Sequence, residues 1–224
     1  MATIGHLVMR LLIVNPNTSP GVTARINAAA QAVAHPGDRF TTVPAAFGPS
    51  LIVTEEDGRA AVAGVLAAIA QQEGDFDGIV LASFGDTGAP EVRAAHAHLP
   101  VIGIAEAAFA EVRRRGGPFA IVTFAPEVAA PLHHKSHEHG VLDQLVGIVS
   151  PPGPLRHDPA DVADTLGLAI LDLCRACAVD GAQSVVLGGG PLAGLAHRLQ
   201  DRCPIPIIDG TQAAVRQLRD ACGT

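Results

Sequence analysis

The 224-residue sequence predicts an α/β protein of two pseudo-symmetric lobes, each a short, mostly parallel sheet flanked by helices, with an active-site cleft between them. Short runs of Val, Ile and Leu alternate with Ala-rich helical segments along the chain, the pattern of βα units. Hydrophobic residues make up 48% of the chain and aromatic residues only 3%, so the core must be aliphatic, as in parallel sheets covered by helices. The third observation is an internal repeat. At a constant offset of 106 residues, Val80-Leu81 falls on Val186-Leu187, Gly88 on Gly194, and PVIG at 100–103 on PIID at 206–209. Upstream, LLIVNPNTS at 11–19 falls on FAIVTFAPE at 119–127 with an offset of 108.

In chain order, the apolar run at 11–14 reads as the first strand and the segment 20–34 as its helix. A strand at 40–43 precedes a long Ala-rich helix at 54–72. The run at 79–82 ends abruptly in the small-residue loop SFGDTG, and Pro90 sits in the first turn of a helix at 90–98. A strand at 101–104 and a helix at 105–115 follow. The second half repeats the scheme: strand 120–123, helix 126–139, strand 146–149, and a helix at 159–179 opened by Pro159. The strand 184–187 ends in GGGPLAG, before a helix at 192–202, a strand at 205–208 and a last helix at 211–221. Residues 1–105 together with 210–224 are expected to form the first lobe and 106–209 the second, the last helix crossing back onto the first lobe.

A formal net charge of −7 argues against nucleic-acid partners, and Arg113-Arg114-Arg115 reads as a solvated helix end. No apolar run is long enough to span a bilayer. The apolar stretch near the N-terminus is broken by Arg10 and followed by no small-residue cleavage site, so it reads as a tail plus a strand. Cys174, Cys177, Cys203 and Cys222 are expected to be reduced thiols of a cytoplasmic protein. The expected partners are a small-molecule substrate and further copies of the chain in a homo-oligomer.

Ligands of parallel α/β sheets bind beyond the carboxyl ends of the strands, against free helix N-termini. Four loops should therefore line the cleft: 15–19, 83–88, 123–126 and 188–192. Asn15, Asn17, Thr18 and Thr123 offer amide and hydroxyl groups to a ligand, Asn15 most strongly because it follows the strand directly. Thr18 and Ser19 equally suit a helix cap. Phe84, Gly85, Phe124, Gly190 and Pro191 complete the expected binding surface, the glycines letting backbone N–H groups approach closely. Two facing lobes place two similar corners on opposite sides of one small ligand, an arrangement suited to chemistry on both faces of a planar intermediate.

LLIVNPNTS, the FGD-G corner at 84–88, IGIAEAAF at 102–109 and VVLGGGPLAG together resemble the hydantoin racemases of the aspartate/glutamate racemase superfamily, over nearly the whole chain. The resemblance implies a two-lobed protein without cofactor or metal that inverts hydantoins, allantoin-like compounds or amino-acid derivatives, with decarboxylases and cis–trans isomerases among its relatives. It also implies a cysteine at each corner, one thiolate removing a proton and the opposite thiol returning one. Ser83 and Gly189 stand at those positions. A thiol can be tuned toward neutral pH, whereas a hydroxyl without a base cannot, and glycine offers no group at all.

Asp86, three residues beyond Ser83, is the alternative acid–base group, or else the N-cap of the following helix. Glu106 in a first turn fits the helix dipole. Cys174 and Cys177 fall inside a helix as core thiols, and Cys203 enters a strand at the wrong end for the cleft. HHKSHEH at 133–139 spaces His133 and His137 for a shared metal but lacks a further ligand cluster, so it reads as a polar helix surface. GGGPLA at 188–193 outlines a dinucleotide-binding turn, with Asp209 closing the next strand, but too little chain follows to complete such a unit. Two other functions stay open: a different lyase or hydrolase reaction with Ser83 as nucleophile, and non-catalytic binding of a small amide or carboxylate.

Overall fold

The computed structural model describes residues 8–154 and 158–222; the expected N-terminal tail lies outside them. Eight strands form two four-stranded parallel sheets. The first is ordered β2 (Arg39–Pro44), β1 (Arg10–Asn15), β3 (Gly78–Leu81), β4 (Val101–Gly103). The second is ordered β6 (Leu145–Val149), β5 (Phe119–Thr123), β7 (Ser184–Gly188), β8 (Ile207–Asp209). The two orders are the same when each strand is exchanged for its repeat mate.

The central strands are buried on both faces, and in the first sheet their apolar runs divide by period two. Leu11, Ile13 and Val80 point into a core that continues through the middle of the molecule to Ile121, Val185 and Val186. Leu12, Val14, Ile79 and Leu81 point the other way and pack on Val65, Ala68, Ile69 and Val92. The latter belong to α2 (Glu55–Ala70) and α3 (Ala89–Ala95).

The helices begin where the sequence supplies caps. Ser19 Oγ accepts the Val22 N–H at the start of α1 (Pro20–Gln31), and Thr54 and Asp57 cap α2 reciprocally. At α3 and α8 (Leu195–Leu199) the cap is the repeated glycine: Gly88 and Gly194 both have φ near 80°, a left-handed turn that favours glycine. Two expected helices are interrupted. The segment 159–179 is two helices, α6 (Val162–Thr165) and α7 (Gly167–Val179), parted at Leu166, whose φ of −101° and ψ of 0° leave the helical region. The expected helix at 192–202 is a 3-10 turn at Gly190–Leu192, α8, and a second 3-10 turn at Gln200–Arg202, because Gly194 breaks the ladder. A 3-10 turn at Pro126–Val128 likewise leads into α5 (Ala129–Glu138).

Helices α4 (Ile104–Arg115) and α9 (Gly210–Cys222), which follow the repeat-mate strands β4 and β8, pack against each other in the middle of the molecule. Gln217 Nε2 donates to Ala107 O at 2.7 Å, and α9 also reaches the first sheet's side through Arg219, which donates to Val33 O at 3.3 Å. Gly210 lies so close to α4 that a Cβ there would stand 2.5 Å from Ile104 O.

Each N-terminus receives a buried carboxylate, from different places in the two halves. Asp209, at the end of β8, accepts N–H bonds from Thr211 and Gln212 at 2.9 and 3.1 Å. Its repeat mate is Gly103, which has no side chain, and α4 is served instead by Asp86, from the loop after β3. A Cβ on Gly103 would fall 1.9 Å from Asp86 Oδ1. Gly103→Ala is therefore expected to lower stability by about 1–3 kcal/mol, the range for overpacking a filled site. Urea unfolding of the variant against Gly116→Ala, where a Cβ meets nothing within 4 Å although φ is +73°, separates crowding from backbone strain.

Candidate active site

The loops at the tips of β3 and β7 face a cavity of about 360 Å³ lined by residues of both halves of the chain. Ser83, Phe84, Gly85, Asp86 and Thr87 come from the first corner, and Gly189, Gly190 and Pro191 from the second. Phe124, from the loop after β5, and Asn17, from the loop after β1, also line it. The remaining wall is largely apolar, with Leu51, Ile52, Val53, Val62, Val128 and Leu132.

At the first corner, Ser83 Oγ donates to Thr87 Oγ1 at 2.9 Å and accepts the Thr87 N–H at 3.2 Å. No imidazole or carboxylate among the described residues is hydrogen-bonded to Ser83, so the hydroxyl lacks the adjacent base that a nucleophilic serine needs. The turn is closed by the Asp86 N–H donating to Ser83 O at 3.1 Å. The N–H groups of Phe84 and Gly85 have no partner among the described residues.

The Asp86 carboxylate is 7% exposed and points away from Ser83 into a set of donors. Oδ1 accepts the Ala105 N–H at 3.0 Å and Oδ2 the Glu106 N–H at 3.2 Å. His139 Nε2 lies 3.1 Å from Oδ2, a separation at which an Nε2–H donates to the carboxylate. Asp86 thus caps α4 rather than the helix that follows it in sequence. The cap of that helix is Gly88. Phe109 of α4 packs edge-on against Phe84 at 5.6 Å between ring centroids and lies 5.4 Å from His139. These contacts tie the first corner to the end of α5.

At the second corner, Gly189 has φ +134° and its absent Cβ would fall 2.5 Å from the Phe124 ring. Phe124 is itself buried. This glycine is required both by backbone conformation and by the aromatic ring beside it. The Gly189 and Gly190 N–H groups have no partner among the described residues, matching the free N–H groups of the first corner.

Three expected ligand-binding residues are placed elsewhere. Asn15 is buried, and its Nδ2 donates to Asn17 Oδ1 at 2.8 Å and Thr23 Oγ1 at 2.9 Å. Thr18 ties its loop to Pro49 O, through its N–H at 3.0 Å. Thr123, fully buried, donates to Gly188 O at 2.7 Å, where β5 meets β7. None of the three lines the cavity. Asn17 does, and because its Oδ1 accepts from Asn15 and from the Ser19 N–H at 2.9 Å, its Nδ2 is left without a partner among the described residues.

Two walls were not expected as part of the site: one from α2 and the residues before it, and one from α5. His134, Lys135 and Glu138, inside the stretch read as a polar helix surface, line the cavity from α5. Lys135 Nζ is 2.7 Å and His134 Nε2 3.1 Å from Glu138. The Lys135 ammonium, with His134 and His139 nearby, holds the Glu138 carboxyl below the usual carboxylate range. Pro131, Leu132, Lys135 and Glu138 recur at three- and four-residue spacing, a signal of one helix face that the run of histidines obscured. Opposite, Glu55 and Arg59 of α2 line the cavity as a looser pair at 3.8 Å. Among the described residues, no group of three or more His, Cys, Asp or Glu side chains is placed to hold a metal ion, and no helix is long and apolar enough to cross a membrane.

A two-lobed α/β fold with paired loop corners over one small cavity is the architecture of a known class. The chain belongs to the Asp/Glu/Hydantoin racemase family, whose model matches residues 11–218. It is 32% identical over 213 residues to the hydantoin racemase of Paenarthrobacter aurescens, covering 93% of this chain and 89% of that one. Among solved structures it is similar to the allantoin racemase of Klebsiella pneumoniae, with a TM-score of 0.86 and 34% identity over 96% of this chain and 88% of that one. The same fold extends to an arylmalonate decarboxylase, with a TM-score of 0.65 at 16% identity, over 94% and 92% of the two chains.

Gly189→Ala is expected to destabilise the protein by about 1–3 kcal/mol, through strain at positive φ and crowding of Phe124. Thermal unfolding of Gly189→Ala, Phe124→Leu and the double variant checks this. The double variant should recover part of the loss, since a smaller side chain relieves the crowding but not the backbone strain.

Proposed function

We propose that this protein is a cofactor-independent isomerase of the racemase type, acting in the cytoplasm on a small hydantoin, allantoin-like or amino-acid-derived compound held between its two corners. The observation that carries the proposal is that the free N–H groups of Phe84 and Gly85 and those of Gly189 and Gly190 belong to two corners of one cavity. Ring carbonyl oxygens received by such donors become better acceptors of negative charge, so the proton on the carbon between carbonyl and nitrogen is easier to remove. Asn17 Nδ2 adds a side-chain donor.

In this proposal Ser83 and Gly189 replace the cysteine pair, and the two faces of the ligand meet different surroundings. Ser83, fixed by Thr87, offers an oxygen lone pair that holds a solvent hydroxide beside the reacting carbon; the hydroxide takes the proton and becomes water, and a solvent water protonates the planar enolate from the other face, restoring hydroxide. Phe124 forms a flat apolar wall by Gly189, against which a planar ring stacks. Asp86 is a positioning residue: its carboxylate is engaged by α4 and His139, which fixes the turn presenting the Phe84 and Gly85 N–H groups. The buried free thiols Cys174, Cys177 and Cys203 support a reducing compartment.

The test is incubation with enantiopure hydantoins, allantoin and amino-acid derivatives in deuterated water. Optical decay and deuterium incorporation at the stereocentre above the buffer rate are expected. Ser83→Cys should raise the exchange rate by about tenfold or more, with the rate climbing as pH approaches about 8.5, the ordinary thiol value. Absence of both optical decay and exchange across the panel would reject isomerisation. Ligand-dependent thermal stabilisation without turnover would then assign a binding role.

A further inference from the structure

The cavity wall supplied by α5, unanticipated from the sequence, holds the chain's only lysine. Every other basic side chain besides histidine is one of fourteen arginines. Where described helices carry ion pairs with a basic side chain at three- or four-residue spacing, the cation is arginine in Glu55–Arg59, Glu111–Arg114, Glu111–Arg115 and Asp172–Arg175. Lys135 with Glu138 departs from this habit, and it does so on a cavity wall. A lysine ammonium is a compact charge with three donors that rotate freely, whereas a guanidinium is a wider planar fork. One ammonium can hold Glu138 and still direct a donor into a small cavity. The Lys135 side chain is only 23% exposed, so most of it lies against protein rather than water.

The charges around the cavity narrow the ligand further. Its basic side chains Lys135, His134 and Arg59 are each already beside a carboxylate, Glu138 for the first two and Glu55 for the third, and Glu91 adds another acid to the lining, whereas Asp86 is engaged by α4 and His139. A carboxylate on the ligand would face Glu138 and Glu55 with no uncommitted cation to offset them. An uncharged group with both a carbonyl and an N–H meets Lys135 as donor and Glu138 as acceptor at once. Building on the ring-binding role proposed above, we propose that Lys135, held by Glu138, is a specificity-determining residue that selects ring substrates bearing an uncharged amide or ureido substituent.

The test compares three hydantoins that differ only in the substituent at the stereocentre: isopropyl, ureido and carboxymethyl. Calorimetric Kd values are measured on the full chain, and thermal unfolding checks that each variant is folded. In the unaltered protein the ureido compound should bind more tightly than either of the others. Lys135→Met, similar in length but apolar, should weaken the ureido compound about tenfold to a hundredfold, the usual range for a hydrogen bond to a charged group, and leave the isopropyl compound within about twofold. Glu138→Gln should shift preference from ureido toward carboxymethyl, because it removes the opposing charge.

A second readout needs no turnover. Reductive methylation with ¹³C-formaldehyde labels the lone lysine and the α-amino group, and the signal missing from Lys135→Met identifies the lysine. That signal should move on adding the ureido compound and stay still with the isopropyl one. Equal losses for both compounds in Lys135→Met, no loss in either, or a methyl signal that ignores the ureido compound would overturn the assignment of Lys135 while leaving the ring-binding role intact. Failure of the unaltered protein to bind any of the three would remove both proposals together.

Discussion

A carboxylate taken out of water has to be met by donors, and at Asp86 that requirement organises the site. Two backbone N–H groups at the start of α4 and the His139 ring converge on one side chain, itself in a left-handed turn with φ of 48°. The carboxylate passes through the space a side chain on Gly103 would fill. With the turn held there, the N–H groups of Phe84 and Gly85 stay open toward the cavity, and Ser83 is locked to Thr87. His139 ends α5, so the same interaction sets the wall that carries Lys135 and Glu138. The contact joins segments 53 residues apart in sequence, and the geometry of the cavity follows from it.

The two halves are equivalent in topology and unlike in chemistry. Their sheets have matching strand orders, and their corner glycines Gly88 and Gly194 adopt the same φ. The carboxylate that caps the buried helix comes from β8 in one half and from the loop after β3 in the other. One corner has a hydroxyl, the other a glycine pressed against an aromatic ring. The proposed chemistry accordingly uses backbone donors on both sides and a hydroxyl on one.

Fold and site were legible in the sequence to different depths, for physical reasons. Each of the eight described strands overlaps its expected segment; the central ones stand out because a strand buried on both faces leaves a continuous apolar signature, whereas β2 and β6 are only partly buried and β8 starts two residues later than expected. The interrupted helices at 159–179 and 192–202 read as continuous in the sequence because a break at Leu166 or Gly194 costs only a residue or two of pattern. Asn15 and Thr123 have the right residue types at strand tips for ligand binding, yet their polar atoms are consumed internally, by Asn17 and Thr23 in one case and Gly188 in the other. Which partner a buried amide takes depends on chain segments that composition does not bring together. Lys135 and Glu138 show the converse: residues typical of a solvated helix face a cavity because α5 supplies part of its wall.

Among the described residues, sulfur lies outside the cavity lining. Burial pushes the Cys174 thiol up to about 12, and Cys177 is raised for the same reason, so neither presents a thiolate at neutral pH. No cysteine or methionine stands among the cavity-lining residues. Peroxide oxidises cysteine through its thiolate, and the described lining of this cavity offers none. Turnover of the kind proposed for this cavity would therefore not hinge on keeping a thiol reduced.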